Sequence, residues 1–210
     1  MRQALSKLPL LAMKKLPATP AYGPALWAFG RIRSGGSMGE PIVFLGDSLT
    51  SGAGLPFPAA YPALVSERLG HRRFVNLGVG GETSRDIRQR FLRMPEFFGH
   101  PIVIWAGRNN YSDGWSVAWD IEAVLEAAET QRYLVLAVPA GDYPSEQPGE
   151  PARQDLAELN AVLEFRFGRH FLNPNSDIGR SDRLDAIHLN RDGHRKIAAR
   201  VADAIRAAGW

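Results

Sequence analysis

From residue 41 onward, short apolar runs of strand length alternate with stretches whose apolar residues recur at helical spacing. Ile42–Leu45, Phe74–Leu77, Ile102–Ala106, Leu134–Val138 and His170–Leu172 read as strands. Between and after them, helical periods run through Pro62–Leu69, through Ile87, Phe91 and Leu92 behind a cap at Thr83 or Ser84, and through Val117, Ile121, Val124, Leu125 and Ala128. Two more follow, through Leu156, Leu159, Val162, Leu163 and Phe167, and from near Arg191 through Ile197, Val201 and Ile205. Strands alternating with helices over short connections predict a parallel sheet of about five strands with helices on both faces. In such sheets ligands gather beyond the carboxyl ends of the strands. Every polar cluster of chemical interest here follows a strand end: Gly46–Ser48, Gly78–Thr83, Gly107–Tyr111 and the loop reaching His188. One site at one sheet edge is therefore expected.

Composition narrows the partners. With 45% hydrophobic and 22% charged residues in 210, the chain can bury one substantial core. The formal charge of +3 comes with no block of like charges, so no nucleic-acid partner is expected. There are no cysteines, which removes disulfides, thiolate nucleophiles and cysteine metal sites together. No run approaches the roughly 18 apolar residues of a membrane span. The apolar run Leu8–Met13 is broken by Pro9 and followed by Lys14 and Lys15, so it does not read as a signal sequence, and the cytoplasm is the expected compartment. Residues 1–40, punctuated by Pro9, Pro17, Pro20 and Pro24 and ending in Ser34-Gly35-Gly36-Ser37, read as an extension and linker ahead of a domain at 41–210. Tyr22 and Trp27 read as residues that pack on that domain.

The chemistry centres on Gly46-Asp47-Ser48-Leu49. A serine where a strand turns into a helix sits on a rigid support, with a backbone N–H aimed at the same space. Gly-Asp-Ser is also an ordinary turn, so a base must be found. Of five histidines only His188 has an aspartate three residues earlier, Asp185, a spacing that lets the carboxylate orient the imidazole. His71, His100 and His170 read as surface or packed residues, and His194, inside the last helix, can at most line the site. Asn76-Leu77-Gly78-Val79-Gly80-Gly81-Glu82-Thr83 can present bare backbone N–H groups to an anion. A dinucleotide reading fails because G-x-G-x-x-G breaks at Thr83. Gly107-Arg108-Asn109-Asn110 offers side-chain amides.

In this order the four pieces resemble the SGNH (GDSL) hydrolase superfamily over residues 41–205. Gly46-Asp47-Ser48-Leu49, Asn76-x-Gly78-x-x-Gly81, Gly107-x-Asn109 and Asp185-x-x-His188 match its blocks. The resemblance implies a flavodoxin-like three-layer α/β/α sandwich and ester hydrolysis without metal or organic cofactor. It implies Ser48 as nucleophile, His188 as base and Asp185 as its partner. It also implies an oxyanion hole from the Ser48 N–H, the Gly81 N–H and the Asn109 amide. Asp47, Arg108, Asn110 and Tyr111 are expected to line the substrate. The third block departs from the family's usual Gly-x-Asn-Asp, with Asn110 in the aspartate's place. The expected substrate is a small-molecule or carbohydrate ester with a short acyl group such as acetyl, handled by a monomer or small homo-oligomer. The same triad also suits an acyltransferase, a lysophospholipase or a thioesterase, and the scaffold a non-catalytic binding module. Trp105, Trp115, Trp119 and Tyr111, in or after the third block, are packing residues or a stacking surface for a sugar ring.

Overall fold

A computed structural model describes residues 33–210. Tyr22, Trp27 and most of the segment read as an extension lie outside the described residues. Among the described residues, six strands form one sheet: β1 (Arg33–Gly35), β2 (Met38–Gly46), β3 (Arg72–Gly78), β4 (Ile102–Trp105), β5 (Tyr133–Leu136) and β6 (Phe171–Leu172). Their order is β1-β3-β2-β4-β5-β6, and all neighbouring pairs are parallel except β1 with β3. The five parallel strands follow the flavodoxin-like order.

The sixth strand comes from the stretch that composition marks as a linker. Arg33–Gly35 pairs with β3, and the chain then crosses beneath that strand to enter β2 on its other side. The crossing is tight: Ser37 N and Met38 N both donate to His71 O, at 2.8 and 3.1 Å. Gly36 has φ +76°, and a Cβ there would lie 2.2 Å from Arg72 O. Its glycine serves close backbone approach, where composition alone suggests flexibility. The boundary drawn after residue 40 falls inside β2, and Glu40 already pairs with Arg132 at 2.7 Å.

Helices cover both faces. They are α1 (Ser48–Ser51), α2 (Tyr61–Arg68), α3 (Ser84–Phe91), α4 (Gly114–Ala128), α5 (Pro151–Phe167) and α6 (Arg191–Ala207). Strand alternation splits the core. Ile42, Phe44, Phe74, Val103, Trp105, Leu134 and Leu136 pack with Tyr61 and Val65 of α2 and with Ile197, Val201 and Ile205 of α6. Tyr61 sits edge-on to both Phe44 and Trp105, at 5.4 and 5.5 Å between centroids. The alternate residues Val43, Leu45, Val75, Leu77, Ile102, Ile104 and Val135 are also buried and face the layer of α3, α4 and α5. Central strands buried on both faces explain why their sequence reads as continuous apolar runs.

The helix starts are built from local chemistry. Thr83 caps α3 in a capping box with Asp86, Asp113 caps α4 by accepting from Ser116 N, and Asn190 caps α6. Each cap follows a strand end or a loop at the carboxyl edge of the sheet, so the same residues that begin the helices also set the loops between.

Candidate active site

Strand β2 ends at Gly46, and α1 begins two residues later with Ser48. Asp47 caps this single turn by accepting from Leu49 N at 2.9 Å. The turn is clamped from below. A Cβ on Gly46 would lie 2.3 Å from Trp105 O, and one on Gly78 would lie 2.2 Å from Ser51 N. Asn76 donates its amide to Thr50 O and accepts from Gly78 N, both at 2.9 Å. Ser48 is thus held by three strand ends at once.

The serine hydroxyl meets His188 Nε2 at 3.1 Å, and His188 Nδ1 lies 2.7 Å from Asp185 Oδ2. A carboxylate only accepts, so Nδ1 carries the proton and Nε2 is left to accept from Ser48. The other Asp185 oxygen accepts from Ile187 N and His188 N, at 2.8 and 2.7 Å. Partial desolvation pushes the Asp185 pKa up, but the His188 hydrogen bond and these two N–H donors outweigh it, leaving it at about 2. The carboxylate therefore stays charged at neutral pH. Arg183, which the sequence does not single out, steadies this loop by donating to Ala186 O at 3.0 Å and to Ala140 O at 2.7 Å.

Two more loops close on the serine. A Cβ on Gly80 would come 3.7 Å from Ser48 Cβ, so the glycine loop passes beside Ser48. Gly81 has φ +80° with open space before it, a conformation that favours glycine. Asn109 donates through Nδ2 to Glu82 O at 2.8 Å, which leaves the second hydrogen of that amide unspent. Glu82 is itself fixed by Arg90 through a bidentate pair, the closest contact being 2.6 Å.

The residues expected to line the substrate divide. Asp47 is 1% exposed and bonded to the turn it caps, so it faces the core and not a ligand. Burial raises its pKa to about 7, against the Leu49 N–H and the positive fields of Arg108 and His188. Arg108 is also buried and pairs with Glu146 at 2.6 Å, its guanidinium 5.1 Å from the Tyr111 ring centroid. Asn110 spends both ends of its amide on Ser84. All three side chains bond within the fold, Asn110 through both ends of its amide, whereas Asp47 Oδ2 and Arg108 Nη1 are buried with no hydrogen-bond partner among the described residues. Tyr111 is partly exposed, with its hydroxyl 3.4 Å from Glu146. His194 is buried and accepts from Tyr61 N at 3.2 Å through Nδ1. Trp105 is a core residue that donates to Ala137 O at 2.9 Å, whereas Trp115 and Trp119 are exposed.

An open parallel sheet that carries a serine–histidine–aspartate relay at its carboxyl edge is the arrangement of a serine hydrolase. The chain belongs to the GDSL-like lipase/acylhydrolase family, whose model matches residues 44–196, the span from the serine block through the histidine block. Among curated proteins it is similar to the human and rat platelet-activating factor acetylhydrolase IB subunit alpha2, at 26% identity over 145 residues. That match covers 62% of this chain and 63% of the relatives' length. Among solved structures it resembles a lipolytic G-D-S-L family protein from Veillonella parvula, with TM-score 0.67 and 18% identity over 78% of this chain and 96% of the other. It also resembles the acetylxylan esterase Axe2 of Geobacillus stearothermophilus, with TM-score 0.63 and 16% identity over 82% and 95% of the two chains. At such identities the structural likeness concerns the fold. No helix among the described residues is long and apolar enough to cross a membrane.

Proposed function

We propose that this protein hydrolyses carboxylic esters by acyl transfer through Ser48, with short acyl groups on a carbohydrate as the preferred substrates. The observation that carries this reading is the relay itself, from Asp185 through both nitrogens of His188 to the Ser48 hydroxyl. Ser48 Oγ attacks the ester carbonyl while His188 Nε2 takes its proton. Asp185 holds the imidazolium that forms. The Ser48 N–H, in the first helical turn where no helical carbonyl is in reach, joins the Gly81 N–H and the Asn109 amide around the tetrahedral oxygen. His188 then protonates the leaving alcohol, and water repeats the sequence to release the acid.

The carbohydrate part of the reading rests on Trp115 and Trp119. They stand one helical turn apart on α4, about 6 Å in rise, at 47% and 59% exposure. α4 begins just beyond the loop that carries Asn109, so two exposed rings stand on the helix that follows that loop. Flat rings suit the faces of sugars. The Asp113 carboxylate that caps the same element favours a neutral, hydroxylated partner over an anionic lipid surface, while Glu122 on that helix is paired with Arg166. The acetyl esterase activity named for Axe2 and the acetylhydrolase named for the curated relatives agree with a small acyl group.

The test is hydrolysis of p-nitrophenyl acetate, butyrate and octanoate by the wild type, Ser48→Ala and Asn109→Ala. Ser48→Ala is expected to abolish turnover, and Asn109→Ala to lower kcat by roughly 10²–10³. Acetate should exceed octanoate. Turnover that survives Ser48→Ala would sink the mechanism, and a preference for octanoate would sink the short-acyl reading. The Trp119→Ala variant should lose rate on an acetylated oligosaccharide while keeping its rate on p-nitrophenyl acetate.

A further inference from the structure

The third block carries an amide, Asn110, at the position where the family usually has a carboxylate. The structure supplies a reason. Asn110 Oδ1 accepts from Ser84 N at 3.0 Å, and Asn110 Nδ2 donates to Ser84 Oγ at 2.9 Å. Ser84 Oγ in turn donates to Asp120 Oδ2 at 2.6 Å, and the other Asp120 oxygen pairs with Arg88 at 2.6 Å. Ser84 and Asp120 are 2% and 6% exposed. A hydroxyl has one proton. Here Asp120 receives it, so whatever stands on the other side of Ser84 Oγ must be a donor. An amide satisfies this and a carboxylate does not.

We infer that Asn110 is a positioning residue matched to Asp120, and that this amide–serine–carboxylate relay clamps the loop carrying Asn109 onto the segment carrying Gly81. The clamp lies directly behind the groups it would align. Asn109 is bonded to Glu82 O while its neighbour Asn110 grips Ser84, so two adjacent side chains stitch the third block to the end of the second. The glycine loop and α3 hang from that seam, with Thr83 between them as the cap. An aspartate at 110 would set two carboxylates across one hydroxyl, with Arg88 as the single cation paired to either among the described residues. One carboxylate oxygen would face a lone pair, and the seam would open. Moving the carboxylate across the serine restores the match. With Asp at 110 and Asn at 120, Ser84 Oγ donates to residue 110 and accepts from residue 120, and the amide oxygen at 120 still faces Arg88.

This inference rests on the ester-hydrolase reading for its kinetic consequence, but the relay itself is testable by stability. The experiment compares wild type, Asn110→Asp, Asp120→Asn and the double variant Asn110→Asp/Asp120→Asn by melting and by p-nitrophenyl acetate kinetics. Asn110→Asp is expected to lower the melting midpoint by at least ~3 °C. Its kcat should fall ~10-fold or more with KM within ~2-fold, because oxyanion donors act on the transition state. The double variant should recover to within ~3-fold of wild-type kcat and melt above both single variants. Equal stability and kcat in Asn110→Asp and wild type would overturn the inference. So would a double variant that melts no higher than Asn110→Asp, or that fails to fold. If the wild type hydrolyses no ester, the functional reading fails, and the order of melting midpoints alone still decides the relay.

Discussion

Asp47 and Ser48 are neighbours with opposite demands. The serine turns its hydroxyl out to meet His188 Nε2 at 3.1 Å, while the aspartate before it caps a buried turn and so gives up its water. Because the folded chain holds the Asp47 proton up to about pH 7 and the ordinary value is 3.8, folding takes up a proton between those limits. Stability from this group therefore falls as pH rises from 3.8 to 7. His194 acts in the opposite sense. Burial, helped by the field of His188, lowers its pKa to about 4 from 6.5, so the unfolded chain binds the extra proton and stability falls as pH drops through that window. The two slopes oppose each other between about pH 4 and pH 6.5. Asp47→Asn keeps the cap, since asparagine caps as well as aspartate. Its melting midpoint relative to wild type is expected to rise from pH 5 to pH 8. His194→Gln keeps an acceptor for Tyr61 N and removes the proton site. Its midpoint relative to wild type should rise as pH falls from 7 to 5. Melting curves of the three proteins across this range check both signs, and parallel curves would refute the buried-charge account.

At the scale of elements, the site depends on how closely β2, β3 and α1 approach. Gly78 stands where a Cβ would lie 2.2 Å from Ser51 N and 2.7 Å from backbone atoms of α1, whereas Gly80 has only Ser48 Cβ at 3.7 Å. Neither has the left-handed φ that would penalise alanine by itself. Gly78→Ala must therefore displace backbone, a change of ~1–3 kcal/mol or more, and it carries Ser48 with it. Gly80→Ala should stay within ~0.5 kcal/mol of wild type. Chemical denaturation of the pair checks the contrast, and the Gly78 variant should lose esterase rate in the same measure as it loses order around α1. Equal stability of the two variants would show that the close approach of β3 to α1 does not constrain the turn.

At the scale of the whole molecule, the sheet begins earlier than composition suggests. β1 covers the edge of β3 next to Phe74, which is 4% exposed, and the ring of Phe74 lies 2.8 Å from where a Cβ on Gly35 would stand. A chain that starts at residue 38 leaves that edge open, and an uncovered edge both loses hydrogen bonds and invites association. It is expected to melt at least ~2–4 °C below a chain that starts at residue 33 and to elute as larger species in size-exclusion chromatography. Identical melting and elution of the two would show that β1 contributes nothing to the fold.

Read alone, the amino-acid sequence carries the class of fold and the order of the apolar runs of its parallel strands, and it names Ser48, Asp185 and His188, which the fold brings into one hydrogen-bonded chain. Each of these is written locally: strand runs buried on both faces are continuous, a cap such as Thr83 announces a helix start, and Asp185 lies within one loop of His188. Tertiary structure decided what the remaining polar residues do. Asp47, Arg108 and Asn110 lie in motifs that look open to a ligand, yet each is turned inward by a partner far along the chain or by the turn it caps: Glu146 for Arg108, Ser84 for Asn110, the α1 backbone for Asp47. The edge strand at Arg33–Gly35 was hidden for the same reason, because its glycines answer to Arg72 and Phe74, thirty-six or more residues away. A pattern of neighbours reports the local backbone. Which of two polar surfaces meets water is settled only when distant segments compete to bury it.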